Sequence, residues 1–237
     1  MVTVESLQQS APSRIPRLEP GDHLTREEFE RRYAAMPGLK QAELIEGVVF
    51  MPSPVRHDQH SGPHARLITL LGIYQLATPG VDVGDNATLR LDADNEPQPD
   101  GFLRIESECG GQCALGADGY LVGGPELVAE IAYSSASYDL HEKRNAYRRN
   151  GVLEYIVWRV AEQAIDWFLL EAGRYEPLPP DEHGVFRSRV FPGLWLDGLS
   201  LLRGDGKRAE ECLEQGIASP EHAAFVKRLE AAKAKQP

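Results

Sequence analysis

Glu130 stands in the middle of LVAEIAY, Leu127 to Tyr133, an otherwise continuous apolar run. A run this short, bounded by turn signals, reads as a strand buried on both faces. A lone carboxylate there is costly unless it is paired, hydrogen-bonded or bound to a metal. Further on, Leu140, Lys143 and Tyr147 recur at helical spacing and so share one face. Leu140 and Tyr147 belong against the sheet, and this carries Lys143 inward, beside the strand of Glu130. Asp100 follows Pro99 and opens the strand-like GFLRI. Proline within a sheet is confined to such starts and to edges. Two carboxylates from neighbouring strands, with backbone carbonyls, form the all-oxygen donor set that Mg²⁺ prefers. Two plainer accounts stay open at this level. Glu130 and Lys143 would also serve as a structural ion pair, and Pro99-Asp100 as an ordinary turn.

Weaker candidates surround these. His60 and His64 share a helix face, a spacing that suits zinc, but no third ligand and no HExxH is present. Facing the cleft or packing is the expected role for them. Asp139 reads as a helix cap or as a partner of Lys143, and Tyr147 as core or site lining. Nothing in the sequence decides whether Asn86 and Arg90 face the cleft. Arg144, Arg148 and Arg149 offer a local phosphate-facing patch or a solvated helix face. Cys109 and Cys113, without a second ligand pair, read as ordinary loop cysteines.

The elements that must position these residues follow from the pattern. Residues 1–20 are polar and contain proline, which predicts a loose, disordered tail. Leu24 to Pro37 reads as a helix capped by Thr25 with Glu28 as its partner. Ala42 to Met51 reads as two strands turning at Glu46-Gly47. A helix is predicted from His60, with Leu67, Ile68, Leu71 and Tyr74 on its buried stripe. Strands are predicted over 81–91 and in GFLRI, and a glycine-rich loop over 106–126. The buried strand with Glu130 leads into a helix from about Asp139 to Asn150, capped by Asp139 with Glu142 and stopped by Gly151. EYIVWRV and AIDWFLL are two further strands. Turns and one short strand are expected over 174–192, then an irregular segment or short helix to 202. Ser219-Pro220-Glu221 starts a last helix. The order predicts an α/β (α+β) domain with a mixed central sheet flanked by helices over 21–203, and a separate helical tail over 204–237.

Composition sets limits. The chain has 237 residues, 42% of them hydrophobic, enough for one substantial core. No apolar run approaches the roughly 20 residues of a membrane helix, and no signal peptide is evident, so a cytoplasmic location is expected. Three cysteines make no disulfide framework. The formal charge of −11 argues against tight, nonspecific binding to a polyanion. It leaves room for an enzyme whose phosphate contact is local and neutralised by metal.

Several stretches in order resemble one family. ELIEGVVFMPSPVRHDQH, EPQPDGFLRI, ELVAEIAYSSASYDLHEKRNAYRRNGVLEYIVW and FPGLWLD are similar to the Uma-type restriction endonuclease family, a branch of the PD-(D/E)XK nuclease superfamily. The resemblance covers about Ala35 to Leu202. It implies a restriction-endonuclease-like mixed sheet with the site at one sheet edge. Asp100 matches the Asp of the PD motif and Glu130 the second acid. The Lys usually found two residues after that acid is Ala132 here, and Lys143 on the next helix matches its relocated position in this branch. Glu43 matches an upstream acid that would hold a second metal or a water.

The resemblance further implies Mg²⁺ (or Mn²⁺) held by Asp100, Glu130 and the carbonyl of Ile131, activating water for in-line attack on a DNA phosphodiester. Lys143 would position the water or neutralise the transition state. His60, Asp139 and Tyr147 would stand behind this set or line the cleft. It also implies a homodimer. The competing reading is a non-catalytic binding or regulatory module that keeps the nuclease fold.

Overall fold

The computed structural model of the chain describes residues 15–52, 56–133 and 135–235, so most of the expected N-terminal tail lies outside them. Within 15–20 the tail is not loose throughout, because Leu18 is buried in a small cluster with Phe29 and Leu44. Helix α1 (Arg26–Ala34) starts at Thr25, whose hydroxyl accepts the Glu28 N–H. The hairpin of β1 (Glu43–Ile45) and β2 (Val48–Phe50) follows. Its turn puts Glu46 and Gly47 at φ 52° and 74°, the left-handed pair that a two-residue hairpin requires.

One π-helical turn, His57–Ser61, precedes α2 (Gly62–Leu76). Strands β3 (Val81–Gly84), β4 (Leu89–Arg90) and β5 (Gly101–Ile105) come next. The expected loop over 106–126 contains β6 (Ala114–Leu115) and β7 (Leu121–Val122), which join β4 in a small three-stranded sheet. β8 (Leu127–Ala132) is buried at every position. The following helix is α3 (Ala136–Tyr138), a π-helical turn (Asp139–Lys143) and α4 (Arg144–Arg149) in succession. It therefore begins before Asp139. That residue lies inside the helix and does not cap it, and its carboxylate instead accepts the Ser135 hydroxyl at 2.6 Å.

β9 (Glu154–Arg159), β10 (Ala164–Glu171) and β11 (Arg174–Pro177) complete the main sheet, and β12 (Val185–Arg187) pairs with β13 (Trp195–Asp197). The main sheet has six strands in the order β11-β10-β9-β8-β5-β3. Its central pair β8–β9 is parallel and the other neighbours are antiparallel. A parallel neighbour needs a crossover, which the helix over 136–149 provides.

Alternation along β8 assigns its side chains. Leu127, Ala129 and Ile131 pack in one core with Leu67 and Leu71 of α2. Val128 and Ala132 pack in the other with Tyr147, Tyr155 and Phe168. Glu130 shares parity with this second set and so faces the crossover helix. After α5 (Gly198–Arg203) come α6 (Gly206–Ile217) and α7 (Pro220–Lys233). Ala209, Leu213, Phe225 and Leu229 from these two helices belong to the first core. His222 Nε2 lies 2.9 Å from Thr78 Oγ1. The expected separate tail after residue 203 is thus corrected: its apolar stripe packs onto the domain.

Candidate active site

The antiparallel pairing of β5 with β8 sets Gly101 opposite Ala129. One step further along that register, Asp100 stands across from Glu130. Asp100 Oδ2 accepts the Ile131 N–H at 2.6 Å, which ties the first acid to the strand of the second. His60 Nε2 lies 3.0 Å from Asp100 Oδ1. His64 Nε2 is 2.8 Å from the Asp100 main-chain oxygen and 3.1 Å from Asp85 Oδ1. The two imidazoles stack with centroids 5.7 Å apart. Gly101 permits this approach of α2, since a Cβ there would lie 2.8 Å from Ile68 Cδ1. Both histidines therefore lie against Asp100 and outside the three hydrophobic clusters.

Lys143 Nζ lies 3.0 Å from Glu130 Oε1 and 2.9 Å from Glu43 Oε1. Tyr147 donates its hydroxyl to the same Glu130 oxygen at 2.8 Å. Glu43 Oε1 also accepts the Gln98 N–H at 2.7 Å. All four side chains are buried. The π-helical turn explains which helix residues reach inward. In an α-helix each four-residue step drifts by about 40° around the axis. The wider turn takes up that drift, so Asp139, Lys143 and Tyr147 all lie buried while Leu140 is only half-buried. Tyr138 joins them unexpectedly. Its ring packs 4.1 Å from Phe50, and Lys143 Nζ lies 5.8 Å from its centroid. The sequence signal for it was adjacency to Asp139 alone.

The electrostatics follow from crowding. Burial pushes the Glu130 carboxyl well above its usual range, helped by Asp139, Asp100 and Glu43 and opposed by Lys143. Burial likewise raises Asp139, to about 6. Burial alone would lower Lys143, but Glu130, Glu43 and Asp139 hold its ammonium proton firmly. Asp100 is lowered despite burial, because His60, the Ile131 N–H and Lys143 favour its charge. The Asp100 hydrogen bond raises His60 in turn. Lys143 thus stays charged, and the strain of surplus acids falls on Glu130 and Asp139.

That surplus is the test of fit for a metal. Glu43, Asp100, Glu130 and Asp139 are buried around one lysine, with His60 at the rim. Hard oxygen donors with uncompensated negative charge suit a divalent cation in kind and number. Among the described residues, no three acid, histidine or cysteine side chains are arranged around a common ion position. Glu43 and Glu130 turn toward the ammonium, and Asp100 toward His60 and Ile131.

Other buried acids show the contrast. Glu126 accepts the Ile105 and Gln112 N–H groups, and Glu154 accepts those of Arg189 and Val190. Backbone N–H groups, with the Ser188 hydroxyl at Glu154, hold these acids without an ionisable partner, whereas Glu43, Asp100 and Glu130 each also meet Lys143 or His60. Of the remaining candidates, Asn86 lies at the margin, donating to the Asp85 that His64 meets. Arg90 lies 2.8 Å from Glu30 and stacks on Tyr120. Arg144 packs over Phe168, Arg148 donates to the Gly173 carbonyl, and Arg149 pairs with Glu46. The arginines of the crossover helix are thus engaged with the protein itself. Cys109, Cys113 and Cys212 are free and buried.

Comparison with known proteins adds independent findings. A family sequence model described as “Uma2: Putative restriction endonuclease” matches residues 26–200. Among solved structures, the chain is similar to “a putative nuclease belonging to DUF820 from Anabaena variabilis”, with a TM-score of 0.53 and 14% identity. The alignment covers 73% of this chain and 96% of that one. At that identity the likeness speaks for the fold. No curated protein matches the sequence. Among the described residues, no helix is long and apolar enough to cross a membrane.

Proposed function

Because the chain belongs to the Uma2 family, its match spanning residues 26–200, we propose that it is a divalent-metal-dependent endonuclease acting on DNA phosphodiester bonds. The observation that carries this reading is convergence. Asp100, Glu130 and Lys143 come from two strands and a helix far apart in sequence, and they meet in one buried, acid-rich cluster. Asp100, Glu130 and the Ile131 carbonyl would hold Mg²⁺ or Mn²⁺. When bound, that ion supplies an acidified water and stabilises charge on the phosphoryl oxygens.

The chain's own residues do the remaining work. Lys143 brings a fixed positive charge to the place where negative charge develops. Tyr147 and Glu43 orient that lysine and its partner Glu130. The Ile131 N–H and His60 fix the Asp100 carboxylate in one direction. Pre-organisation of this kind lowers the barrier because little reorientation is left for the reaction itself.

A dimer would let two such sites address two strands. The substrate grip is local, since the net charge is −11. The test is incubation of plasmid and single-stranded DNA with Mg²⁺ or Mn²⁺, beside an Asp100→Ala variant and a light-scattering mass measurement. Cleavage by the wild type that the variant lacks is the expected result. If the wild type neither binds metal nor cuts, the fold serves a non-catalytic role.

A further inference from the structure

We propose that the Lys143 ammonium takes the place of a second metal ion beside Glu43, so that the chain loads one divalent cation, between Asp100 and Glu130, and not two. This rests on the metal-dependent reading above and sharpens it.

The geometry points to the assignment first. Lys143 Nζ bridges Glu43 Oε1 at 2.9 Å and Glu130 Oε1 at 3.0 Å, as a bridging cation does. The Glu43 oxygen is already shared between the ammonium and the Gln98 N–H. Glu43 is therefore occupied in the fold by the ammonium and the Gln98 amide. Tyr147 adds its hydroxyl to the same Glu130 oxygen, which leaves the other oxygen of Glu130 as the one to be shared with an ion. Asp100 contacts no part of the ammonium bridge and is held instead by Ile131 and His60.

Charge supports the same count. Four buried carboxylates surround Lys143, namely Glu43, Asp100, Glu130 and Asp139. Fully ionised, as a bound cation would hold them, and with Lys143 charged, these acids give the cluster three net negative charges. One divalent ion leaves a single negative charge, and His60 lies beside Asp100 to meet it. A second divalent ion would drive the buried cluster positive, which burial penalises as it does any unpaired charge. A lysine that cannot leave its two acids is thus a permanent monovalent substitute at one of two cation positions.

Titration of the full-length chain with Mn²⁺ tests this, by calorimetry for stoichiometry and by electron paramagnetic resonance for spin-coupled ion pairs. The wild type is expected to bind one Mn²⁺ per chain with no coupled pair. Lys143→Met is expected to bind a second ion, or to bind the first at least tenfold more tightly. Glu43→Gln in the wild-type background is expected to keep the count at one ion per chain. Two ions on the wild type, or a Lys143→Met chain that titrates like the wild type, would overturn the assignment while leaving metal dependence standing. A wild type that binds no Mn²⁺ would overturn the nuclease reading and this one with it. If Lys143→Met fails to fold, the wild-type stoichiometry still decides, since two ions or a spin-coupled pair on the wild type ends the proposal.

Discussion

Tyr147 gives its hydroxyl hydrogen to Glu130 at 2.8 Å, on the same oxygen that Lys143 holds at 3.0 Å. The phenol ring is fully buried in the second core, so the hydroxyl reaches the carboxylate from a fixed support. Tyr147→Phe keeps the packing and removes one hydrogen bond to a charged group. The expected cost is about 1.5–3 kcal/mol. Urea unfolding measures it, and an unchanged midpoint would show that the contact contributes nothing.

Asp100→Asn separates charge from shape. The amide oxygen still accepts the Ile131 N–H, so the junction of β5 and β8 stays formed. The anionic donor is gone. DNA cleavage is expected to fall roughly 10²-fold or more, as when one preorganised electrostatic group is deleted, with the far-ultraviolet dichroism unchanged. Cleavage at the wild-type rate would exclude Asp100 from the chemistry.

Lys143→Ala strands two buried carboxylates, Glu43 and Glu130, without their cation. Breaking one side of a buried ion pair costs about 3–5 kcal/mol. Adding Glu130→Gln removes one of the stranded charges and is expected to recover a large part of that loss. A double-mutant cycle by chemical denaturation measures the coupling, and simple additivity would mean the pair does not interact.

A pH dependence of stability is expected from a site outside the cluster. Burial, and then the neighbouring Glu30 carboxylate, push Glu96 from 4.5 up to about 8. Between those values the folded chain keeps a proton that the unfolded chain has released. Stability therefore falls as pH rises through that window, by on the order of a few kcal/mol. Glu96→Gln is expected to flatten the profile. Unfolding midpoints at the two ends of the window, compared between wild type and variant, check the sign, and a wild type that gains stability there contradicts it.

How much of this was legible in the sequence depends on the kind of signal. Glu130 was readable because a charge inside an apolar strand violates burial economics, and Lys143 because it shares a helix face with Tyr147. Yet Glu126 and Glu154, at or just before the starts of their strands, are buried too, and backbone N–H groups and the Ser188 hydroxyl satisfy them. Sequence shows that a buried acid needs a partner and not which partner it finds. Regular helical periodicity leaves Asp139 as a cap or a partner of Lys143 and makes Leu140 buried. The π-helical turn shifts that phase, and no residue type announces it. For His60 and His64 the sequence leaves cleft and packing open, because the residue they meet, Asp100, is brought by a distant strand. The strands over 114–122 are two residues long, too short to show alternation. The docking of α6 and α7 was hidden because an amphipathic stripe does not name the surface it will cover.

Both Glu130 and Lys143 ride on a single strand–helix–strand unit whose two strands, β8 and β9, hold the centre of the sheet. Edge strands such as β3 and β11 have neighbours on one side only and fray first. The Ile131 amide is bound to Asp100 two residues past the last β5–β8 pair, Gly101 with Ala129. In amide hydrogen exchange it is expected to outlast the amides of the edge strands. Glu130 and Lys143 are thus backed by the part of the sheet that opens last.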